Sequence, residues 1–378
     1  MESATPEKIG EANRKLILDY VRKFGPVSRA DIHRHLEMSF PTVSTNVKRL
    51  LEAGYLLEAG DSDNSLGRKG TLLTFNAARA YVVGIDLGRS QIRVMLADLS
   101  GQEIAYVKEN CDSTSSDQHA IVQQLCNMVD RAIQITNIVT SPIGCICLGV
   151  PGVPDLQSGR LLAAPFIHPL DLNEIIHTFQ QRYNAPVIID NSVNFGAIGE
   201  KWHGVAQGYR DIVYINYGVG IGAALILNNE LYRGVNNAAG EIGFMVPDSS
   251  HMRKHFDVQG ALETLISGKR IQENLKAMGL HTDIQQTGDY ADILESITCY
   301  IGLALINITS VFNEEIIVIG GGLGDALGEF FIPEWTQMLQ NHVPFVPKVV
   351  PSALRTRANV LGAVAVALRQ VNDGSLDS

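Results

Sequence analysis

Two stretches far apart in this chain carry the same pattern, and the repetition restricts the available folds more than any other feature. The first reads Y-V-V-G-I-D-L-G-R-S-Q-I-R-V-M-L-A-D-L-S-G from Tyr81. The second reads I-V-Y-I-N-Y-G-V-G-I-G-A-A-L-I-L-N-N from Ile212. Each is an apolar run, a polar residue (Asp86 or Asn216), a glycine turn (Gly88 or Gly218), a second apolar run and a closing turn. Such runs are strands, and the glycines and asparagines between them are hairpin turns. A pattern repeated at an offset of 130 residues, Asp86 to Asn216, predicts two similar α/β lobes with a cleft between them.

Glycines at strand ends let backbone N–H groups approach phosphate oxygens. A third such turn, Gly320-Gly321-Gly322, follows the buried-strand pattern Ile316–Ile319. Neither a Walker-type G-x-x-x-x-G-K-[ST] nor a G-x-G-x-x-G fingerprint fits. Between the repeats, Val187-Ile188-Ile189 opens into Asp190-Asn191-Ser192 and then a helical pattern. A short buried strand emptying into a polar turn is where open α/β sheets place ligand chemistry.

The first 79 residues read differently. Ile9, Asn13, Leu16, Ile17, Tyr20, Val21 and Phe24 recur at helical spacing and predict one amphipathic helix, ended by Gly25-Pro26. Ser28-Arg29-Ala30-Asp31 is a capping-box start for a second helix to about Leu36. Ser39, with Pro41 in the first turn, starts a third, whose buried stripe is Val43, Val47, Leu50 and Leu51. Thr42, Thr45, Lys48 and Arg49 lie opposite that stripe, as a major-groove reader requires. Tyr55–Glu58 and Thr71–Phe75 form a hairpin whose long tip carries Arg68 and Lys69, suited to phosphates or a minor groove. The order of elements predicts a winged helix-turn-helix, against the alternative of a small helical protein-docking domain.

Charge separates the two parts. Residues 1–79 hold 12 Lys and Arg against 10 Asp and Glu, net +2; the rest holds 18 against 30, net −12. A basic-leaning head on an acidic body suits a head that meets a polyanion. The five cysteines, Cys111, Cys126, Cys145, Cys147 and Cys299, are scattered and odd in number, so reduced thiols are expected, with Cys145 and Cys147 on one face of a strand. No run of 18 or more apolar residues occurs and the N-terminus lacks a signal-peptide layout, so no membrane span and a cytoplasmic location are expected.

Seven motifs together resemble the ROK family (repressors, open reading frames, kinases): G-I-D-L-G-R-S at 84–90, G-V-P-G at 149–152, D-N-S-V-N at 190–194, G-V-G-I-G at 218–222, A-G-E-I-G at 239–243, G-A-L-E at 260–263 and I-G-G-G at 319–322. The resemblance covers essentially the whole chain and is nearest to the regulator branch, of the xylose or N-acetylglucosamine repressor type. It implies an actin-like ATPase fold, ribonuclease H-like and duplicated, with sugar bound between the lobes and, in the kinases, ATP beside it. It implies sugar contact at Asn191, Glu241 and Glu263, and former nucleotide contact at Asp86, Gly88, Ser90, Gly218, Gly220, Gly320 and Gly321.

Departures from the family pattern decide the expected function. The kinases carry an Asp after the Asn of the 190–194 motif, the general base on the sugar hydroxyl; here it is Ser192. Losing such a base typically costs about 10²–10⁴-fold. Phe244 stands where the family has a zinc-ligating His, and the downstream cysteine cluster is missing; His251 and His255 alone are thin for zinc, so no metal is expected. Val219 replaces a Thr of the second phosphate turn. Phe244, with Phe166 near the expected sugar shell, makes the cleft more apolar.

The expected protein is therefore a DNA-binding transcriptional repressor with a degenerate sugar-kinase-like body that senses a sugar or sugar derivative. It has no catalytic residue and no cofactor. A homodimer or homotetramer is expected on a double-stranded operator. Expected units are a winged helix over 1–79, a first lobe over 80–190 with the C-terminal helix 357–372 packed back on it, and a second lobe over 191–356. Two alternatives stay open: an ATP-dependent sugar kinase with a DNA-binding head, and a ligand-free regulator controlled by a protein partner.

Overall fold

The computed structural model describes residues 6–61, 70–111, 118–136, 142–162, 170–252, 259–268, 270–271 and 291–373. The first three helices are α1 (Pro6–Phe24), α2 (Arg29–Leu36) and α3 (Phe40–Glu52). Strands β1 (Val27–Ser28), β2 (Leu56–Asp61) and β3 (Thr71–Phe75) form an antiparallel sheet in the order β1-β3-β2. Ser28 caps α2 in a full capping box: its side chain accepts from the Asp31 N–H, and Asp31 accepts from the Ser28 N–H at 3.0 Å. Ser39 caps α3 and accepts from the Thr42 N–H. Each cap satisfies helix-end donors that would otherwise lack partners. Ile17, Leu18, Val21, Ile32, Val43, Val47, Leu50, Leu56 and Leu73 make the core of this unit.

The stripe on α1 differs from expectation. Ile17 and Val21 are buried as predicted, joined by Leu18 and the guanidinium-bearing Arg14, whereas Ile9, Leu16 and Phe24 are about half exposed. The helix presents Arg14-Ile17-Leu18-Val21 inward, one of two stripes that its dense apolar spacing allows. Tyr20 and Phe24 stack instead around His35, with centroids 4.6 and 5.6 Å from its ring.

The body contains two five-stranded sheets. The first uses β4 (Tyr81–Leu87), β5 (Gln91–Asp98), β6 (Glu103–Asn110), β7 (Ile143–Val150) and β10 (Val187–Asn191), in the order β10-β7-β4-β5-β6. A small ribbon, β8 (Val153–Asp155) and β9 (Arg160–Leu162), follows β7. The second sheet uses β11 (Ile212–Tyr217), β12 (Ile221–Leu227), β13 (Glu230–Tyr232), β14 (Ile316–Gly320) and β15 (Lys348–Pro351), in the order β13-β12-β11-β14-β15. Read from the other edge, that order is the first sheet's. In each, three antiparallel strands are extended by two parallel ones. The repeat holds at residue level: Asp86 pairs Gly149 on the parallel side, and Asn216 pairs Gly320.

Helices α4 (Gln118–Ile135) and α5 (Leu172–Tyr183) pack on the first sheet through Leu125, Val129, Ile175 and Phe179. Helix α6 (Ser192–His203) follows β10, and the short α7 (Ala261–Ile266) opens the second half of the second unit. Helices α8 (Ala291–Phe312) and α9 (Gly322–His342) cover the second sheet, with Trp335 stacked on Phe331. Residues 293–312 of α8 are long and apolar enough to cross a membrane, but Ile293, Ile297, Ile301, Leu305 and Ile308 are core of the second sheet.

The C-terminal helix α10 (Ala358–Asp373) lies with α6 against both sheets. Val360, Val364 and Ala367 share a core with Val82, Cys145 and Cys147 of the first sheet, and Ala358 shares one with Tyr214 and Val318 of the second. The α6–α10 crossing is close because Gly199 and Gly362 face each other's backbone. A Cβ on Gly199 would lie 2.2 Å from the Ala358 carbonyl, and one on Gly362 would lie 1.7 Å from that of Phe195. Cys145 and Cys147 are both buried, free and on the face toward α10.

Candidate ligand cleft and basic helix face

The two glycine turns of the repeat face each other across a cavity of about 320 Å³. Asp86, Gly88, Arg89, Ser90 and Arg93 come from the β4–β5 side, and Asn216, Gly218, Val219 and Gly220 from the β11–β12 side. Asn191, Ser192 and Val193 close one end, at the β10–α6 junction. Glu241, Phe244 and Glu263 close another, and Gly321, Gly322, Arg355, Thr356 and Asn359 line a third wall. The expected ligand residues Asn191, Glu241 and Glu263 thus share one cavity with Asp86, Gly88, Ser90, Gly218, Gly220 and Gly321. Gly320 precedes the lining residues Gly321 and Gly322, and a Cβ on it would lie 2.5 Å from the Oη of Tyr214, which also lines the cavity.

Polar bridges cross this cleft. The Asn191 side chain caps α6, accepting from the Val193 N–H at 2.9 Å, and its Nδ2 donates to Glu241 Oε1 at 3.2 Å. Its neighbour Asp190 accepts from the Asn191 N–H and from Asn194 Nδ2, both at 2.7 Å, and from Arg233 Nε and Nη2 at 3.1 and 2.7 Å. Arg89 pairs with Glu263 at 3.7 Å. Arg93 pairs with Asp86 at 3.0 Å and also holds Gln91 Oε1 at 2.9 Å, while Asn359 Nδ2 donates to Asp86 at 3.2 Å.

Burial dominates the electrostatics. It pushes the Glu241 carboxyl up to about 7, helped by the charge of Glu263 and opposed by Arg89 and the Asn191 hydrogen bond. Burial also raises Glu263, against Arg89 and a backbone bond from Ile221. It raises Asp86 despite Arg93 and Asn359. The same burial lowers Arg89, with Glu263 and Glu241 acting the other way. Glu241, Glu263 and Asp86 are thus carboxyls held by donors inside the cleft, suited to accepting ligand hydroxyls.

Among the residues the sequence reading left out, Arg89 and Gly152 stand inside motifs it quoted. Arg93, Arg355, Thr356 and Asn359 gave no local signal. Arg233 sits in no motif and reaches Asp190 from 43 residues away. Phe244 and Val219, read as apolar replacements, both line the cavity. Phe166 and His255 lie outside the described residues. His251 is committed locally, its Nδ1 2.9 Å from Asp248 Oδ2. Among the described residues no group of three or more His, Cys, Asp or Glu is placed to hold a metal ion.

The second candidate surface is on α3. Thr45, Lys48 and Arg49 are exposed; Thr42 is half-buried, with Oγ1 2.7 Å from Ser39 Oγ. Lys48 lies 3.7 Å from the exposed Glu52. Beneath them Asn46 is buried and donates to the Thr42 carbonyl at 2.8 Å. Arg68 and Lys69 lie outside the described residues.

Two α/β sheets of matching strand order around a polar cleft, preceded by a small three-helix unit with its own sheet, define the class of protein. The chain belongs to the ROK family, whose profile matches residues 82–370. It is 31% identical to the xylose repressor of Bacillus subtilis over 329 residues, 84% of each chain. Among solved structures it resembles a ROK family transcriptional regulator described as a homologue of the E. coli MLC protein, with TM-score 0.76 and 22% identity over 97% of this chain and 98% of that one. A ROK glucokinase from Streptomyces griseus, solved with glucose and AMPPNP, matches with TM-score 0.64 and 22% identity over 77% of this chain and all of that one. At these identities the structural matches establish a shared fold.

Proposed function

We propose that this chain is a transcriptional repressor that binds operator DNA through its head and senses a sugar or sugar derivative in its cleft without phosphorylating it. The observation that carries the reading is Ser192. It lines the cleft beside Asn191, at the position where the resemblance puts the kinase base. A hydroxyl cannot take a proton from a sugar alcohol as a carboxylate does. Val219 brings no hydroxyl to the second glycine turn, and Arg93 holds Asp86 at 3.0 Å, which supports reading Asp86, Gly88, Ser90, Gly218, Gly220, Gly320 and Gly321 as vestigial. The similarity to a xylose repressor, and to a regulator along nearly the full chain, supports the same reading.

In this reading residues 1–79 are a winged helix-turn-helix, with α3 in the major groove and the β2–β3 hairpin as the wing. Thr42, Thr45, Lys48 and Arg49 contact DNA from α3, and Arg68 and Lys69 from the wing. Residues 80–190 with 357–372, and 191–356, are the two lobes of an actin-like body. Asn191, Glu241 and Glu263 anchor the ligand. The protein acts as a homodimer or homotetramer, since such heads read half-sites about 34 Å apart. Ligand contact with both lobes changes their closure and shifts the DNA-competent population.

Selection of duplexes from a random DNA pool by the full-length protein tests the head. A palindromic consensus whose recovery is lost in Arg49→Ala is expected; enrichment of no sequence overturns the DNA-binding assignment.

A further inference from the structure

Phe40 has no part in the functions assigned so far. It is the first residue of α3, at the end of the helix that meets base edges when such a helix lies in a major groove. The core of the head closes without it. Val43, Val47 and Leu50 are the α3 residues buried there, while Phe40 stays 49% exposed.

The turn before α3 fixes where the ring stands. Glu37 closes α2 in the left-handed conformation, at φ 53°. His33 Nδ1 donates to the Met38 carbonyl at 2.5 Å, since a carbonyl can only accept. The same imidazole meets the Phe40 ring edge to face, with centroids 6.0 Å apart and planes at 80°. That is a favoured arrangement for two rings. Ser39 caps α3 and Pro41 stands in its first turn, so the backbone is constrained on both sides of Phe40. A ring held in this way loses little freedom when a partner covers it. Phe24, another half-exposed ring of the head, differs: it packs with Tyr20 and His35, away from α3.

The surroundings of Phe40 define the partner. Ser39 and Thr42 carry hydroxyls next to it, and Thr45, Lys48 and Arg49 are exposed farther along the helix. Hydroxyls and cations match phosphates and the polar edges of bases. An apolar ring among them needs an apolar counterpart, and the major groove offers one, the C5-methyl group of thymine.

We propose that Phe40 selects a thymine in each operator half-site by packing against its methyl group. This rests on the DNA-binding reading and adds to it one base of the operator and the side chain that reads it.

Anisotropy titrations of full-length protein on the duplex recovered by selection test it, with deoxyuridine replacing thymine at one symmetric pair of positions at a time. Deoxyuridine keeps the polar edge of thymine and lacks the methyl. Burying one methyl is worth about fourfold in affinity, so at one such pair the wild type should lose about fifteenfold. Phe40→Ala should bind the thymine duplex at least tenfold more weakly and respond less than twofold to deoxyuridine at that pair. Selection repeated with Phe40→Gln, whose amide fits adenine, should return a consensus that has lost thymine there. A wild type with no methyl-dependent pair, a methyl effect undiminished in Phe40→Ala, or a Phe40→Gln consensus that keeps this thymine overturns the role of Phe40 and leaves DNA binding intact. A wild type that enriches no sequence overturns the DNA-binding reading and this inference with it.

Discussion

Replacing Glu241 by Gln should stabilise the protein at alkaline pH and leave it unchanged in acid. The glutamate is raised from an ordinary value of 4.5 to about 7, mainly by burial. A carboxyl whose folded pKa is raised binds its proton more tightly in the folded state. Its ionisation is therefore a cost that is absent below about pH 4.5, grows as pH rises toward 7, and is constant above. The gap corresponds to on the order of 3 kcal/mol, at 1.36 kcal/mol per unit. Gln keeps an acceptor for Asn191 Nδ2, 3.2 Å away in the native site, and carries no charge. Urea unfolding followed by the fluorescence of Trp335, buried in the second sheet's core, reports the right unit. With m of about 1–3 kcal/mol/M, the variant's midpoint should exceed the wild type's by about 1 M or more at pH 8, and match it at pH 4.5. Midpoints that differ by a constant amount across this range would refute the claim that burial sets the Glu241 charge.

Three further outcomes follow from the same geometry. Lys48→Ala and Arg49→Ala should each weaken operator binding and flatten the log affinity–log salt slope by about one, as expected when one phosphate contact is lost; an unchanged slope in anisotropy titrations places α3 elsewhere. Arg22→Ala removes the 2.8 Å bond from α1 to Asn372 in α10 and the stacking of the guanidinium over Phe75, 4.4 Å from the ring centroid. Limited proteolysis near residues 76–80 should then be faster, whereas an unchanged digestion rate means that the bond does not tether the head. Ser192→Asp, assayed with D-xylose, D-glucose and N-acetylglucosamine and Mg-ATP, should yield no sugar phosphate, because Val219 still brings no hydroxyl to the second glycine turn and Asp86 is still held by Arg93; clear turnover would show that the nucleotide half is intact.

Local features of the fold were legible because they depend on short spacings. The capping box at Ser28–Asp31 and the cap at Ser39 each join residues three positions apart, and the strand–glycine–strand repeat is visible as a pattern before any contact is known. The sheets repeat their strand order because the same local pattern recurs in the same sequence. The bridges of the cleft had no such signal. Asn359 meets Asp86 across 273 residues, and ion pairs leave no periodicity. Composition marks the glycine turn at 320–322 without marking which of its residues line the cavity; the structure places Gly321 and Gly322 there and packs the Gly320 Cα against Tyr214. On α1, apolar residues are dense enough for two stripes, and only packing against Ile32 and Val43 chooses Ile17, Leu18 and Val21.

The central claim is that sugar binding is read out as DNA affinity and not as chemistry. The most direct measurement follows the anisotropy of a labelled operator duplex, taken from the selection above, as full-length protein and Mg-ATP are titrated in turn with D-xylose, D-glucose and N-acetylglucosamine, with sugar phosphate assayed in the same samples. The account predicts at least a tenfold change in operator affinity that saturates with the sugar, and no phosphorylated product. Sugar phosphate formed at a rate proportional to protein, or operator affinity indifferent to saturating sugar, would contradict it.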